Sequence, residues 1–392
     1  MRTGPARRRQ RGMLLPALIV LLAVGGLGWL LSRQDSAAHR DLIREARTAD
    51  ALATAREALL GYAATYRNRE HANADFGYLP CPDLDGDGSS ETCGTKGQTS
   101  IGRLPYLTLN LPDLRDGNGE CLWYAVSGSF KNNPKPDALN SDSTGSFQLI
   151  DDAGATRPLA GDQSGRAAAL VIAAGAPQAG QSRSAGPARC GGDSEARQVR
   201  EYVEALEAAD AHGITPVRTS AGNDRLAAIT TDDIYRQLKR RPSYAGWLQQ
   251  VIQASADCLA SLPAAVAPER VGPVELGRLP ALDKLTGTCR NETLRDAVAN
   301  WAEAMRYARC ADGTDCLAGI GRRCRGALIF GGERADASQR RVDPADRLVT
   351  RNYLEADTLA ALATGQLGSL PTTFAITAPD RPASADIALC IP

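Results

Sequence analysis

Residues Met13 to Ser32, MLLPALIVLLAVGGLGWLLS, carry no charge over twenty positions. No other stretch restricts the chain as much. At ~1.5 Å per residue, a helix of this length matches a ~30 Å hydrocarbon core. Arg2, Arg7, Arg8, Arg9 and Arg11 precede the run, and the first acid is Asp35. That asymmetry predicts a cytoplasmic N-terminus and a translocated remainder. The apolar core is longer than the ~7–15 residues of a cleaved secretory signal, and no small-x-small exit follows it. No Cys stands at its end for a lipid anchor. Two readings remain: a plain uncleaved anchor, or a short basic leader ending in Gly12 and cut before Met13.

Beyond Ser32, the residues Leu52, Ala55, Leu59, Tyr62 and Tyr66 are spaced 3, 4, 3 and 4, which is one face of a helix. No Pro falls between residues 17 and 79. The pattern predicts one nearly continuous helix from about Met13 to about Asn68, weakest at Gly25, Gly26 and Gly28. Its first half would lie in lipid and its second half on a globular head.

The ten Cys all lie beyond residue 80. An even count confined to the translocated part predicts disulfides in an oxidising compartment such as the periplasm. Connectivity does not follow from sequence. Proximity suggests Cys81 with Cys93 and Cys310 with Cys316; Cys121 with Cys190, Cys258 with Cys289 and Cys324 with Cys390 would complete a set. None has metal-ligand spacing, which argues against structural zinc. Formal net charge is zero and no basic patch lies outside the leader, so nucleic acid is not an expected partner. The three His are His39, His71 and His212. No GxSxG, HExxH, P-loop or dinucleotide fingerprint accompanies them, and the chain reads as non-catalytic.

One stretch has metal-ligand character. Asp83, Asp85 and Asp87 alternate and are followed by Gly88. This matches the first half of an EF-hand loop, in which oxygens at positions 1, 3 and 5 converge and Gly at 6 makes the turn. Ser89 would supply its carbonyl. Position 12 is Gly94 rather than Glu, and Glu91 is the available substitute. Calcium is the ion this donor set would take; the competing reading is a solvated acidic turn. Downstream, Asp116-Gly117-Asn118-Gly119 signals a turn. Strands are predicted over 121–127, 147–152 and 168–175. A helix capped by Thr or Asp is predicted to begin in the run Thr230 to Ile234. Another is predicted from about Thr293 to Arg309 on the spacing of Leu294, Val298, Trp301, Met305 and Tyr307.

The leader ending in Gly12, the apolar helix with its amphipathic continuation and the strand-rich segment after it resemble type IV pilin-like proteins and type II secretion pseudopilins. Pro112 to Gly119, leading into Leu122-Trp123-Tyr124-Ala125-Val126, is similar to the turn and strand of major pseudopilins. The Leu79-Pro80-Cys81-Pro82 run, the acidic loop and Gly102-Arg103-Leu104-Pro105 resemble a minor-pilin-like group. The likeness covers about residues 7–180 of the 392. It implies a minor pilin-like or pseudopilin-like envelope protein, acting in assembly or at the tip of a pilus or secretion filament. It also implies a prepilin peptidase that cuts after Gly12 and leaves an N-methylated Met13, other pilin or pseudopilin subunits as partners, and an inner-membrane location with the head outside the cytoplasm. The chain departs from the family at Ala17, where pilins carry Glu, and at Gly117, where the turn motif carries Trp. The alternative is an uncleaved single-pass periplasmic binding or scaffold protein.

The second half echoes the first. Gly102-Arg103-Leu104-Pro105 recurs as Gly277-Arg278-Leu279-Pro280. Ala169 to Ile172 with Gln181-Ser182-Arg183 resembles Ala327 to Phe330 with Gln339-Arg340-Arg341, at an offset of 158. Arg200-Glu201-Tyr202-Val203-Glu204 resembles Arg351-Asn352-Tyr353-Leu354-Glu355. The expected fold is therefore α+β: a long N-terminal membrane-spanning helix followed by a pilin-like antiparallel β-sheet head, either enlarged or duplicated. The expected division is leader 1–12, helix 13–70, head 71–220 and a second region 221–392.

Overall fold

The computed structural model describes residues 14–70, 75–160, 163–183, 190, 198–219, 222–280, 292–319, 321–334, 337–374 and 386–392. Helix α1 (Leu14–Arg69) runs unbroken for 56 residues, through Gly25, Gly26 and Gly28. Its two ends behave differently. Ala51, Leu52, Ala55, Leu59, Ala63 and Tyr66 are buried, the three-and-four spacing of a helix laid on a core. From Ala38 to Arg47 every side chain is exposed, with Leu42 at 64% and Ile43 at 40%.

The expected membrane-spanning helix is not borne out. Among the described residues no helix is long and apolar enough to cross a membrane. Gly12 and Met13 lie outside the described residues. The expected pilin-like antiparallel head is also corrected, because the described residues form a mixed α/β arrangement of four sheets, one of them parallel.

The first half contributes β1 (Ser100–Arg103), β2 (Trp123–Val126), β3 (Phe147–Ile150), β4 (Ala169–Ala173), β5 (Thr215–Arg218) and β6 (Arg225–Ile229). Four of these form an antiparallel sheet in the order β1-β2-β4-β6, while β3 and β5 pair in parallel beside it. The strand β6 belongs to this sheet although it lies past residue 220, where the sequence suggested a division. The second half contributes α2 (Thr231–Lys239), α3 (Pro242–Cys258), β7 (Val266–Val271), β8 (Val274–Arg278), α4 (Glu292–Trp301), β9 (Met305–Cys310), β10 (Leu317–Ala318), β11 (Arg323–Cys324), β12 (Gly326–Phe330), α5 (Ala356–Thr364) and β13 (Ile387–Ile391). Its main sheet is antiparallel, in the order β13-β12-β9-β8-β7.

Met305 and Tyr307, expected on a helix, lie on β9. The helical spacing holds up to Trp301, where a 3-10 turn over Ala302–Ala304 ends it. Met305, Arg306, Tyr307 and Ala308 are all buried, so no alternation betrays the strand. Helix α2 starts with a capping box: Thr230 accepts the Asp233 N–H (3.2 Å), and the Asp233 carboxylate accepts the Thr230 N–H (3.0 Å). Arg56 ties α1 to this corner, 2.8 Å from Asp233 and donating to the Ala228 carbonyl (2.9 Å).

The two main sheets share a plan. Helix α1 packs on β4 and β6; helix α3 packs on β12 and β13; α2 touches both helices. In each sheet a strand ending in the Gly-Arg of a Gly-Arg-Leu-Pro sequence pairs with a buried strand, then a second, then a third. One apolar core runs continuously from α1 through both sheets. At about 25 cal/mol per Å² of apolar surface, this shared burial is the main force holding the halves together. A smaller core around Trp123, Phe147, Leu170, Tyr202 and Val217 covers the other face of the first sheet.

Candidate functional site

The acidic loop is held at both ends. Cys81 and Cys93 form a disulfide across it, and the buried Lys131 donates to the Cys93 and Thr95 carbonyls (both 2.6 Å). Inside, the carboxylates organise the backbone. Asp83, 1% exposed, accepts the N–H groups of Gly86 (2.6 Å) and Gly88 (2.9 Å). Asp85 accepts from Asp87 N (3.2 Å), Asp87 from Ser89 N (2.7 Å), and Glu91 Oε2 from Leu84 N (2.7 Å). Gly88 adopts φ +91, and a Cβ there would meet the Tyr106 ring at 2.6 Å, so only Gly fits. The structure brings together Asp83, Asp85, Asp87 and Glu91, with one carboxylate oxygen of each within 4.8 Å of the others. Ser89 enters this arrangement through its N–H.

Two observations bear on whether this donor set fits a cation. The Oε1 of Glu91 is buried without a hydrogen-bond donor. Burial, reinforced by the neighbouring carboxylates, pushes Asp83 and Glu91 above their usual carboxylate range. A hard divalent cation would satisfy the oxygen and relieve the repulsion. The other grouping of metal-type side chains, Asp113 with Cys121 and Cys190, offers no thiolate, because the two sulfurs are bonded to each other.

The remaining cysteines staple the second half. Cys310 pairs with Cys316, and Cys324 with Cys390, tying β13 to β11. Cys258 is also disulfide-bonded; Cys289 lies outside the described residues. His39 and His212 are exposed, and His71 lies outside the described residues.

The Asp116 turn is a structural knot. Its carboxylate accepts N–H groups from Asn118 (2.8 Å), Glu120 (3.0 Å) and Gly175 (2.9 Å). Gly117 donates to Thr48 Oγ1 on α1 (2.9 Å), and a Cβ on Gly117 would lie 2.1 Å from the Arg44 carbonyl. This contact sits where α1 leaves the body. Above it opens a cleft of about 540 Å³ lined by Arg44, Glu45, Thr48, Asn118, Asn223 and Arg225, among others.

Each main sheet carries one further arrangement, and the two correspond atom for atom. After β4, Arg183 donates Nε to the Glu201 carbonyl (2.7 Å), Nη1 to the Gly175 carbonyl (2.8 Å) and Nη2 to Gln181 Oε1 (2.6 Å), and lies 4.7 Å from the Tyr202 ring centre. After β12, Arg341 donates Nε to the Asn352 carbonyl (2.6 Å), Nη1 to the Gly332 carbonyl (2.8 Å) and Nη2 to Gln339 Oε1 (3.3 Å), and lies 4.3 Å from the Tyr353 ring centre. Both Tyr residues follow 3-10 turns, Val199–Glu201 and Thr350–Asn352. Each ring carries a second guanidinium, Arg103 at 4.4 Å from Tyr202 and Arg306 at 4.0 Å from Tyr353. An Asp just before the last equivalent strand completes each set. Asp224 accepts the Glu204 N–H (2.8 Å) and Asp386 the Glu355 N–H (2.8 Å). The sequence comparison caught the Gln-x-Arg and Arg-x-Tyr-x-Glu segments but missed Asp224 and Asp386.

The chain matches no protein-family model, no curated protein and no solved structure.

Proposed function

We propose that this chain is a non-catalytic, pilin-like assembly protein of an oxidising, extracytoplasmic compartment. The observation that carries this reading is the exposed arm of α1. Over Ala38 to Arg47 no side chain is covered, and Leu42 and Ile43 face solvent together with Leu18 to Leu22. A helix that buries one half in its own body and leaves apolar residues bare on the other is arranged to pack with further subunits. The reading rests on this arm and needs no membrane crossing. The disulfides support the compartment, since they persist only outside reducing cytosol. A prepilin peptidase acting between Gly12 and Met13 is the implied processing partner.

The test is the mass and N-terminal sequence of the protein taken from its own cells. A chain beginning at Met13 supports the reading. A chain beginning at Met1 overturns the pilin-like part and leaves a binding or scaffold protein.

The same reading gives the acidic loop a calcium ion held by Asp83, Asp85, Asp87 and Glu91, with Ser89 at its edge. Its role would be to stiffen the loop, not to react. The matching arrangements around Arg183 and Arg341 support reading the two sheets as divergent copies of one unit.

A further inference from the structure

The arm of α1 carries two charged ridges. Arg40, Arg44 and Arg47 recur at helical spacing and are all exposed, with Ile43 beside them. Asp41 and Glu45 stand one turn apart on the neighbouring ridge, which lines the cleft under the arm. The floor of that cleft is apolar, with Ala49, Leu52, Ala173 and Leu226, and Arg225 stands on its far wall. The cleft is built rather than left over. Gly117 donates to Thr48, and a Cβ on it would collide with the Arg44 carbonyl, so the turn abuts α1 and holds it off the sheet. The Gly175 wall is fixed from two sides, its N–H by Asp116 (2.9 Å) and its carbonyl by Arg183 (2.8 Å). A cavity of about 540 Å³ with fixed walls, an apolar floor and a charged rim has the make-up of a preformed binding site.

The rim charges are open to exchange. Asp41 pairs with Arg44 of the same arm (3.3 Å) and Glu45 with Arg225 (3.5 Å), and all four side chains are more than half exposed. Ion pairs this exposed contribute little. An anionic partner would suit the arginine ridge and be repelled by Asp41 and Glu45; a cationic one would meet the reverse. The two ridges complement each other, yet they point to different sides of one helix, so an arm cannot lay its own basic ridge in its own cleft. A second copy can.

We propose that the cleft receives the arm of a second copy of this chain, with the Arg40, Arg44 and Arg47 ridge against Asp41 and Glu45 and with Ile43 on the floor of Ala49, Leu52 and Leu226. The proposal rests on the reading of the arm as an assembly surface and names what the arm packs on. The giving and receiving surfaces differ, so the contact is heterologous. A copy that inserts its arm keeps its own cleft open, and the contact repeats from copy to copy. Charge selects the partner, and burial of Ile43 supplies the affinity.

Photocrosslinking of the full-length protein tests this. Chains carrying a photoreactive residue at Ile43 are mixed with heavy-nitrogen chains, so that adducts between copies are told from adducts within one. Such adducts should map to Ala49 and to Asn223 or Leu226 of the other copy. Glu45→Arg sets a cation in the cleft against the basic ridge and should cut their yield about three- to tenfold, and Arg47→Glu should do the same from the other side. Mixing Arg47→Glu chains, carrying the photoreactive residue, with Glu45→Arg chains should restore the yield, because the reversed ridge then meets the reversed cleft. The absence of adducts between copies would overturn the proposal. So would adducts confined to the two arms, with Asn223 and Leu226 untouched, or a mixture that crosslinks no better than either variant alone. Adducts in cells with a different pilin-like protein, alongside none between copies of the purified chain, would overturn it and keep the assembly reading.

Discussion

In the first half Arg183 lies over Tyr202, and in the second Arg341 lies over Tyr353, each bonded to two main-chain carbonyls and one Gln. The surroundings then diverge. Arg341 is fully buried against Asp142, itself 6% exposed, whereas the Glu120 partner of Arg183 is 22% exposed and 3.5 Å away. Asp386 accepts the Glu355 N–H, and Asp224 accepts the Glu204 and Ala205 N–H groups. The comparison teaches that the same backbone problem, a long return loop that must be pinned beside the sheet, is solved in both halves by a buried guanidinium, with a buried carboxylate partner in one and a more exposed one in the other. A buried guanidinium paired with a buried carboxylate is a support that loses most when either partner is removed.

The largest effect should separate the two arginines. Arg341→Ala leaves a buried Asp142 and two carbonyls without a donor, and should cost ~3–5 kcal/mol in urea unfolding, against ~2–3 for Arg183→Ala. Equal or reversed losses would break the contrast between the two arginine sites. Lys at either position should rescue poorly, because it lacks the planar fork.

The second effect concerns Asp75, which joins the halves by accepting from Asn300 Nδ2 (2.7 Å). Burial pushes its carboxyl from 3.8 up to about 7. The folded state therefore holds this proton more tightly than the unfolded chain. The stabilisation is complete below about pH 4 and is lost as pH rises through about 7, on the order of 3–4 kcal/mol in all. Asp75→Asn should flatten that part of the urea midpoint's pH dependence, and an unchanged slope would remove Asp75 as its source.

A smaller effect sharpens the comparison. Thr358→Val takes a donor from Asp386 and should cost ~1–3 kcal/mol. Last, Gly117→Ala forces a Cβ against the Arg44 carbonyl and should destabilise by ~1–3 kcal/mol. The loss should be read first as faster exchange around Thr48, where the turn grips α1.

The sequence exposed what depends on local pattern. Helix α1 was legible from its spacing, the start of α2 and its Thr or Asp cap from the Thr230 to Ile234 run, and the strands β2, β3 and β4 from residue type. The acidic loop was legible because its spacing alone sets which oxygens converge. What stayed hidden depends on burial on both faces or on distant partners. Strand β9 carries Arg306 in its core-facing register and lost its alternation. The correspondence between the two sheets showed in the sequence as short matches, but at an offset of 158 on the strand. The register of β4 and β12 against their neighbours instead sets Ala169 beside Gly326, one residue earlier. The loops absorb that residue before Gln181 and Gln339. Asp224 and Asp386 were silent because a lone Asp before a strand has no signature until its acceptor role is seen.

The central claim is that the bare arm of α1 is an assembly surface, and crosslinking in the protein's own cells tests it most directly. A photoreactive residue at Leu42, 64% exposed on the arm, is compared with one at Leu348, 58% exposed on the second half's loop. The account predicts adducts at Leu42 with other pilin-like subunits, identified by mass spectrometry, and none at Leu348. Adducts at neither position, or equally at both, would contradict it.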